Sequence, residues 1–281
     1  MDYDKARLKI ILDLNQSPLQ REGLVRVYLP VGYDQSNDTY PVLYMHDGQN
    51  LFYPGSDISG ASWQAGDQLD QLQIAGVTTG IILVAIDCSV ENEGLGRMSE
   101  YSPWPSAPPA ELANWNSKKL GMGGKGDLYV DWLTRSLKPL IDQNFRTQPE
   151  RDTTLIGGSS MGAVISLYAA LKYPDSFSKV GVMSPAFWFA EQPIRQFIDQ
   201  TGFRERLSIY IDIGTAETSD STVSCFPDVY LKGARSLHQQ LSQKAFIKRL
   251  CLNIDQGGLH SETAWAGRFP DMLCWLLDAN L

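Results

Sequence analysis

The sequence predicts an α/β fold: a mostly parallel, eight-stranded sheet with helices on both faces. Three observations predict it. Eight short apolar or alternating segments read as strands, helical stripes fill the intervals between the later ones, and a glycine-flanked serine sits at a strand-to-helix junction.

The strand-like segments are Leu8–Leu14, Leu24–Leu29, Val42–His46, Gly80–Asp87, Thr153–Gly157, Lys179–Met183, Leu207–Ile213 and Phe246–Ile254. The first two or three lack intervening helices and are expected to form an antiparallel edge. Most of the later ones are nearly unbroken apolar runs, as parallel strands covered on both faces must be. Tyr129, Trp132, Leu133, Leu137 and Ile141 fall at helical spacing between them. So do Tyr230, Ala234, Leu237 and Leu241, and then Met272, Trp275 and Leu276.

At 281 residues and 43% apolar content, without a low-complexity tract, the chain can bury one sizeable core, and 1–281 is expected to be a single domain. Residues from about 91 to 126 show little periodicity, carry Pro103, Pro105, Pro108 and Pro109, and end in Gly121-Met122-Gly123-Gly124. Leaving the carboxyl end of a strand, this insertion is expected to act as a cap over a ligand site.

A formal charge of -8 without a Lys/Arg cluster argues against nucleic acid or an anionic membrane surface as partner and leaves a small molecule. Cys88, Cys225, Cys251 and Cys274 are scattered, with no spacing that suggests zinc or a redox pair. The amino-terminal residues lack the basic and apolar regions of a secretory leader, and no stretch has membrane-spanning length, so a cytoplasmic protein is expected.

Gly158-Ser159-Ser160-Met161-Gly162 carries the chemistry. A strand that turns abruptly into a helix has room only for small neighbours, and it projects the Ser160 hydroxyl from a strained turn as a nucleophile. The N–H of Met161 lies at the helix start, where unsatisfied donors favour a developing oxyanion.

A serine nucleophile needs a base, and the chain has three histidines. His238 falls in the polar part of a helical stretch, and His46 ends a buried strand. His260 follows the last strand, and the α/β-hydrolase order of nucleophile, acid and histidine selects it. The acid is expected on the loop after the penultimate strand, where Glu217 is the first choice, with Asp220 and Asp212 as alternatives. A second oxyanion donor is expected after the third strand, from the N–H of Gln49 or of Gly48, where a glycine permits close approach to substrate. His46 and Asp47 are expected to hold that loop.

With these residues in place the chain resembles the esterase D-like family of the α/β-hydrolases, which includes S-formylglutathione hydrolases, feruloyl esterases and enterobactin-type trilactone esterases. The resemblance rests on Val27-Tyr28-Leu29-Pro30, Tyr44-Met45-His46-Asp47-Gly48 and Arg97-Met98-Ser99-Glu100-Tyr101-Ser102-Pro103, and on the serine motif. Ser184-Pro185-Ala186-Phe187-Trp188 and His260-Ser261-Glu262-Thr263-Ala264-Trp265 extend it toward the carboxyl terminus. It implies a serine carboxylic-ester hydrolase with neither metal nor organic cofactor, with Ser160 and His260 matching the family's catalytic serine and histidine.

Trp188, Phe187, Trp104 and Arg97 are the expected substrate-binding residues, and Trp115 and Phe189 add aromatic surface nearby. Two other readings use the same residues: an acyltransferase in which an alcohol replaces water, and a catalytically silent ligand-binding relative. A nucleotide-binding protein is excluded, because neither phosphate-loop pattern is present.

Overall fold

The computed structural model describes residues 5–52, 61–92, 94–112, 121–202 and 205–279. All eight expected strands form: β1 (Leu8–Asp13), β2 (Leu24–Tyr28), β3 (Val42–His46), β4 (Ile82–Ile86), β5 (Thr154–Ser159), β6 (Lys179–Met183), β7 (Leu207–Gly214) and β8 (Ile247–Asp255). They make one sheet in the order β1-β2-β4-β3-β5-β6-β7-β8. The fold is the expected α/β arrangement.

The antiparallel edge takes in the first two strands and not the third. β1 pairs antiparallel with β2, and β2 antiparallel with β4, but β3 lies between β4 and β5 and runs parallel to both. Every residue of β3 is buried, which is the condition of a central strand covered on both faces.

Eight α-helices surround the sheet in the described residues: α1 (Ala65–Ile74), α2 (Leu95–Glu100), α3 (Gly126–Trp132), α4 (Lys138–Asn144), α5 (Met161–Lys172), α6 (Glu191–Gln200), α7 (Phe226–Ser242) and α8 (Glu262–Leu277). Strand alternation sorts them into two layers. Val42, Tyr44, Ile82, Val84, Ile156, Val180 and Ile209 pack with α3 to α7 in one core. Leu43, Met45, Leu83, Leu155 and Tyr210 pack with Leu69 and Leu72 of α1 and Phe269, Met272 and Leu273 of α8 in the other. No described helix is long and apolar enough to cross a membrane.

α2 falls inside the segment expected to lack regular structure. Its six residues include Gly96 and Ser99, too few and too polar to show a helical stripe. Along the other border, β7 and β8 stay in register to Gly214 and Asp255, so the loops leaving these strands emerge side by side.

Candidate active site

β5 ends at Ser159 and α5 begins at Met161, so Ser160 alone makes the turn, with φ 58° and ψ -120°. For a residue with a Cβ this conformation is strained, and the surroundings hold it. Ser160 N donates to Met183 O at 2.9 Å, and Ala186 N donates to Ser160 O at 3.2 Å, so the end of β6 clamps both backbone groups. A Cβ on Gly158 would stand 2.9 Å from the carbonyl carbon of Gly162, and one on Gly162 would stand 3.1 Å from Asp47 Oδ2. The first glycine lets the elbow close on itself. The second lets the loop after β3 approach it.

The loop after β7 delivers Glu217, fully buried, to the loop after β8. Its Oε2 lies 2.5 Å from His260 Nδ1, while Oε1 accepts from Ser184 Oγ at 2.5 Å and Gly214 N at 2.8 Å. Burial alone pushes this carboxyl's pKa up, but the bond and charge of His260, with the Ser184 and Gly214 donors, outweigh it and leave the pKa below its ordinary value. Glu217 is therefore an ionised acceptor, which favours a proton on the Nδ1 of His260 that faces it.

The other two carboxylates are engaged elsewhere. Asp212 is buried within β7, 2.9 Å from Arg268 Nε, and accepts from Asn253 Nδ2 at 3.0 Å. Burial raises its pKa to about 6 against the pull of Arg268 and Asn253. Asp220 Oδ1 accepts from Thr222 N at 2.9 Å and Thr222 Oγ1 at 2.6 Å, closing a local turn. Of the three, Glu217 is the one in contact with His260.

After β3, Asp47 adopts a left-handed conformation at φ 55° and starts a 3-10 turn over Gly48–Asn50. The Gln49 side chain is pinned to Cys88, whose N–H it accepts at 3.1 Å. A Cβ on Gly48 would stand 2.7 Å from the backbone of Ala85 and Ile86. The glycine is thus needed for packing on β4, a nearer constraint than the substrate approach expected from sequence. Arg97 of α2 grips Asp47 with two bonds, Nε to Oδ1 at 2.6 Å and Nη2 to Oδ2 at 2.7 Å, and reaches Ser159 O at 3.4 Å. Its guanidinium joins the loop to the nucleophile strand.

His46 turns away from this loop. Its Nδ1 is 2.8 Å from the Tyr129 hydroxyl of α3, and its ring clusters with those of Tyr101 and Tyr129, which also touch each other. Burial drives its pKa down to about 3, so it is neutral at physiological pH.

The family model described as "Putative esterase" matches residues 17–276. The chain belongs to this esterase family. It is 27% identical over 205 residues to the uncharacterized protein YjcH of Bacillus subtilis, covering 73% of this chain and 71% of that one. It is 29% identical over 163 residues to the uncharacterized protein YbbA of the same organism, covering 58% of this chain and 56% of that one. Esterase Rv1288 of Mycobacterium tuberculosis is 30% identical over 159 residues, which are 55% of this chain and 27% of that one. The matched stretch thus spans about half the length of YbbA and a smaller share of Rv1288. Among solved structures, the siderophore hydrolase EstA of Aspergillus nidulans superposes with a TM-score of 0.72 at 17% identity, over 95% of this chain and 94% of that one. The enterobactin esterase FES of Shigella flexneri superposes at 0.69 and 17%, over 96% of this chain and 59% of that one. At such identities the superpositions establish the shared fold.

The aromatic residues of this esterase divide. Trp188 is buried and meets Tyr230 edge-on at 6.2 Å and Phe226 at 5.6 Å. Phe187 is buried beneath Arg195, and Trp104 packs edge-on against Tyr168 of α5 and Phe197 of α6. Trp115 lies outside the described residues. Trp188 is thus the aromatic that reaches the Tyr230 side of His260.

Several residues that shape the site carry little sequence signal. The Ser184 hydroxyl bonds Glu217 and also receives Trp265 Nε1 at 2.8 Å and Arg268 Nη2 at 3.1 Å. Trp265 and Tyr230 flank the His260 ring at 4.8 Å and 4.7 Å. Ser184 and Trp265 stand inside motifs that carry the family resemblance. Arg268 and Tyr230 show only helical spacing.

Proposed function

We propose that this esterase hydrolyses small-molecule carboxylic esters through an acyl-enzyme on Ser160, with His260 as general base and Glu217 as its carboxylate partner. Two observations carry the reading: the 2.5 Å contact of His260 Nδ1 with buried Glu217, and a serine held at φ 58° where β5 turns into α5. His260 Nε2 takes the Ser160 proton as Oγ adds to the acyl carbon, then returns it to the departing alkoxide. Water enters, gives its proton to Nε2, and the tetrahedral intermediate collapses to free acid and serine. Glu217 stabilises the imidazolium formed in each half.

The N–H of Met161, at the start of α5, and that of Gln49, with Gly48 as the alternative donor, are assigned to the oxyanion. The Arg97–Asp47 pair supports this assignment, because it fixes the Gln49 loop relative to Ser159. Arg97 then acts on the frame of the site. Trp188, edge-on to Tyr230, is the proposed substrate-side aromatic, whereas Phe187 beneath Arg195 and Trp104 against Tyr168 and Phe197 pack the frame around it.

The insertion is proposed as the cap. Ala107 N donates to Phe189 O at 2.8 Å, and Cys225 Sγ donates to Glu111 O at 3.8 Å, so its described part bridges the loop after β6 and the start of α7. Solved proteins of this fold include siderophore hydrolases and a ferulic acid esterase, which makes aryl esters and trilactones the first substrates to try. The test is a panel of short-acyl, feruloyl, acetyl-sugar, thioester and trilactone substrates assayed with wild type and Ser160→Ala. Hydrolysis of at least one class by wild type alone supports the reading. Equal turnover by both proteins removes it.

A further inference from the structure

The Tyr230 hydroxyl occupies a place that the triad leaves unexplained. It lies 3.4 Å from His260 Nε2, the nitrogen that must exchange protons with Ser160 and substrate. Among the described residues no other side chain is hydrogen-bonded to that nitrogen. Tyr230 comes from the second turn of α7, its ring is 1% exposed, and it lies against the imidazole with centroids 4.7 Å apart. The Ser219 hydroxyl holds the phenol from the far side at 2.7 Å, and Trp188 meets its ring edge-on.

Burial raises the phenol's pKa to about 12, although the hydroxyls of Ser219 and Ser160 and the Trp188 indole pull it back. Tyr230 therefore keeps its proton across the working range of any esterase. An oxygen seated against Nε2 on the side of Tyr230 comes within reach of this hydroxyl.

We propose that Tyr230 is a hydrogen-bond donor to the leaving-group oxygen of the ester. The inference rests on the serine-esterase reading above. In acylation the Ser160 Oγ–carbon bond forms while its proton moves to His260 Nε2. The carbon–oxygen bond to the alcohol then breaks, and the Nε2 proton passes to the departing oxygen. Tyr230 stabilises negative charge on that oxygen during bond breaking and keeps its own proton throughout, so the proton count is that of the ordinary triad. Such a donor is worth most where the leaving alkoxide is most basic, because that oxygen carries the most charge needing a partner.

The dependence on leaving group separates this role from a packing role. kcat/KM reports the steps through acylation, so it is measured with two esters of one acid: p-nitrophenyl butyrate, with a stabilised phenolate, and ethyl butyrate, with a basic alkoxide. Tyr230→Phe keeps the ring and removes the hydroxyl. It is expected to lower kcat/KM for the ethyl ester by about 10- to 100-fold and for the aryl ester by less than about 3-fold. Ser219→Ala, at an exposed loop position, should weaken the aim of the phenol and cause a smaller loss with the same preference. Equal losses on both esters in Tyr230→Phe, or no loss on either, overturn the proposal. Should Tyr230→Phe fail to fold, the ester preference of Ser219→Ala decides, and its absence counts against the proposal. Ser160→Ala is run beside them. If it retains turnover, the serine-esterase reading itself fails, an outcome distinct from any result at Tyr230.

Discussion

Asn50 Nδ2 donates to Glu262 Oε1 at 2.8 Å, tying the turn that follows β3 to the first residue of α8. The other oxygen of Glu262 accepts from Trp63 Nε1. Glu262 stands two positions after His260, and Asn50 one after Gln49, so this carboxylate couples the His260 segment to the Gln49 loop. Glu262→Ala would leave two partly buried donors without that acceptor. It is expected to cost about 2–4 kcal/mol of stability, since bonds to a charged group contribute about 1.5–3 kcal/mol each and do not add fully. Turnover should fall several-fold in the folded variant. Urea unfolding and kcat measured on one preparation check both, and wild-type values in both would show the coupling to be idle.

Ser160→Ala is expected to abolish ester hydrolysis by about a thousandfold or more while the protein remains folded. Its backbone bonds to Met183 and Ala186 involve no side-chain atom, so the clamp on the elbow survives the change. Near-wild-type turnover in a variant with wild-type melting would remove Ser160 from the mechanism.

Strand existence was legible because interior parallel strands must be apolar on both faces, and β3 to β7 show that as nearly unbroken runs. Their order was less so. β3 sits in the middle of the sheet beside β5, a pairing that no local pattern encodes. Ser160, His260 and Glu217 could be singled out because chain order and loop position constrain them. Tyr230 could not, since its spacing with Ala234, Leu237 and Leu241 is that of a core stripe, and periodicity is silent on where a hydroxyl points. Arg97 stands in a motif of the resemblance, but only the fold brings it to Asp47. Gly48 shows a related limit: its need for a missing Cβ is visible, while the backbone it packs against, Ala85 and Ile86, is distant in sequence.

Glu217→Gln should lower kcat by about a thousandfold or more with little change in substrate binding, because an amide N–H facing Nδ1 favours the wrong tautomer of His260. Asp212→Asn is the informative contrast. It removes the charge facing Arg268, which keeps Asp255 at 3.1 Å and Glu217 at 3.4 Å, and should cost about 1–3 kcal/mol of stability, with less than a tenfold loss of kcat. Asp220→Asn, in a local turn, should stay close to wild type. Kinetics on the three folded variants decide the assignment, and a larger kcat loss at Asp212 or Asp220 would overturn it.

The last prediction concerns acid stability and His46. Burial pushes its pKa down to about 3, with Arg97 adding to the effect and Asp47 opposing it. In the unfolded chain the imidazole returns to about 6.5. Between these values the unfolded state binds a proton that the native state refuses, so stability falls as pH drops through this window. From pH 7 to pH 5 the loss from this group alone is about 2 kcal/mol. The Asp212 carboxyl, raised to about 6, acts in the opposite sense as its native form gains a proton on acidification. Glu217, with its lowered pKa, gives up stability only as pH falls from its ordinary value through the native one, largely below pH 5. Both contributions are shared by wild type and a His46→Gln variant, so they cancel in the comparison. His46→Gln should start less stable at pH 7, having lost the ring packing against Tyr101 and Tyr129. It should nevertheless lose about 2 kcal/mol less than wild type on moving to pH 5. Urea unfolding at the two pH values measures this difference directly, and parallel losses in the two proteins would mean that His46 accepts its proton in the native state.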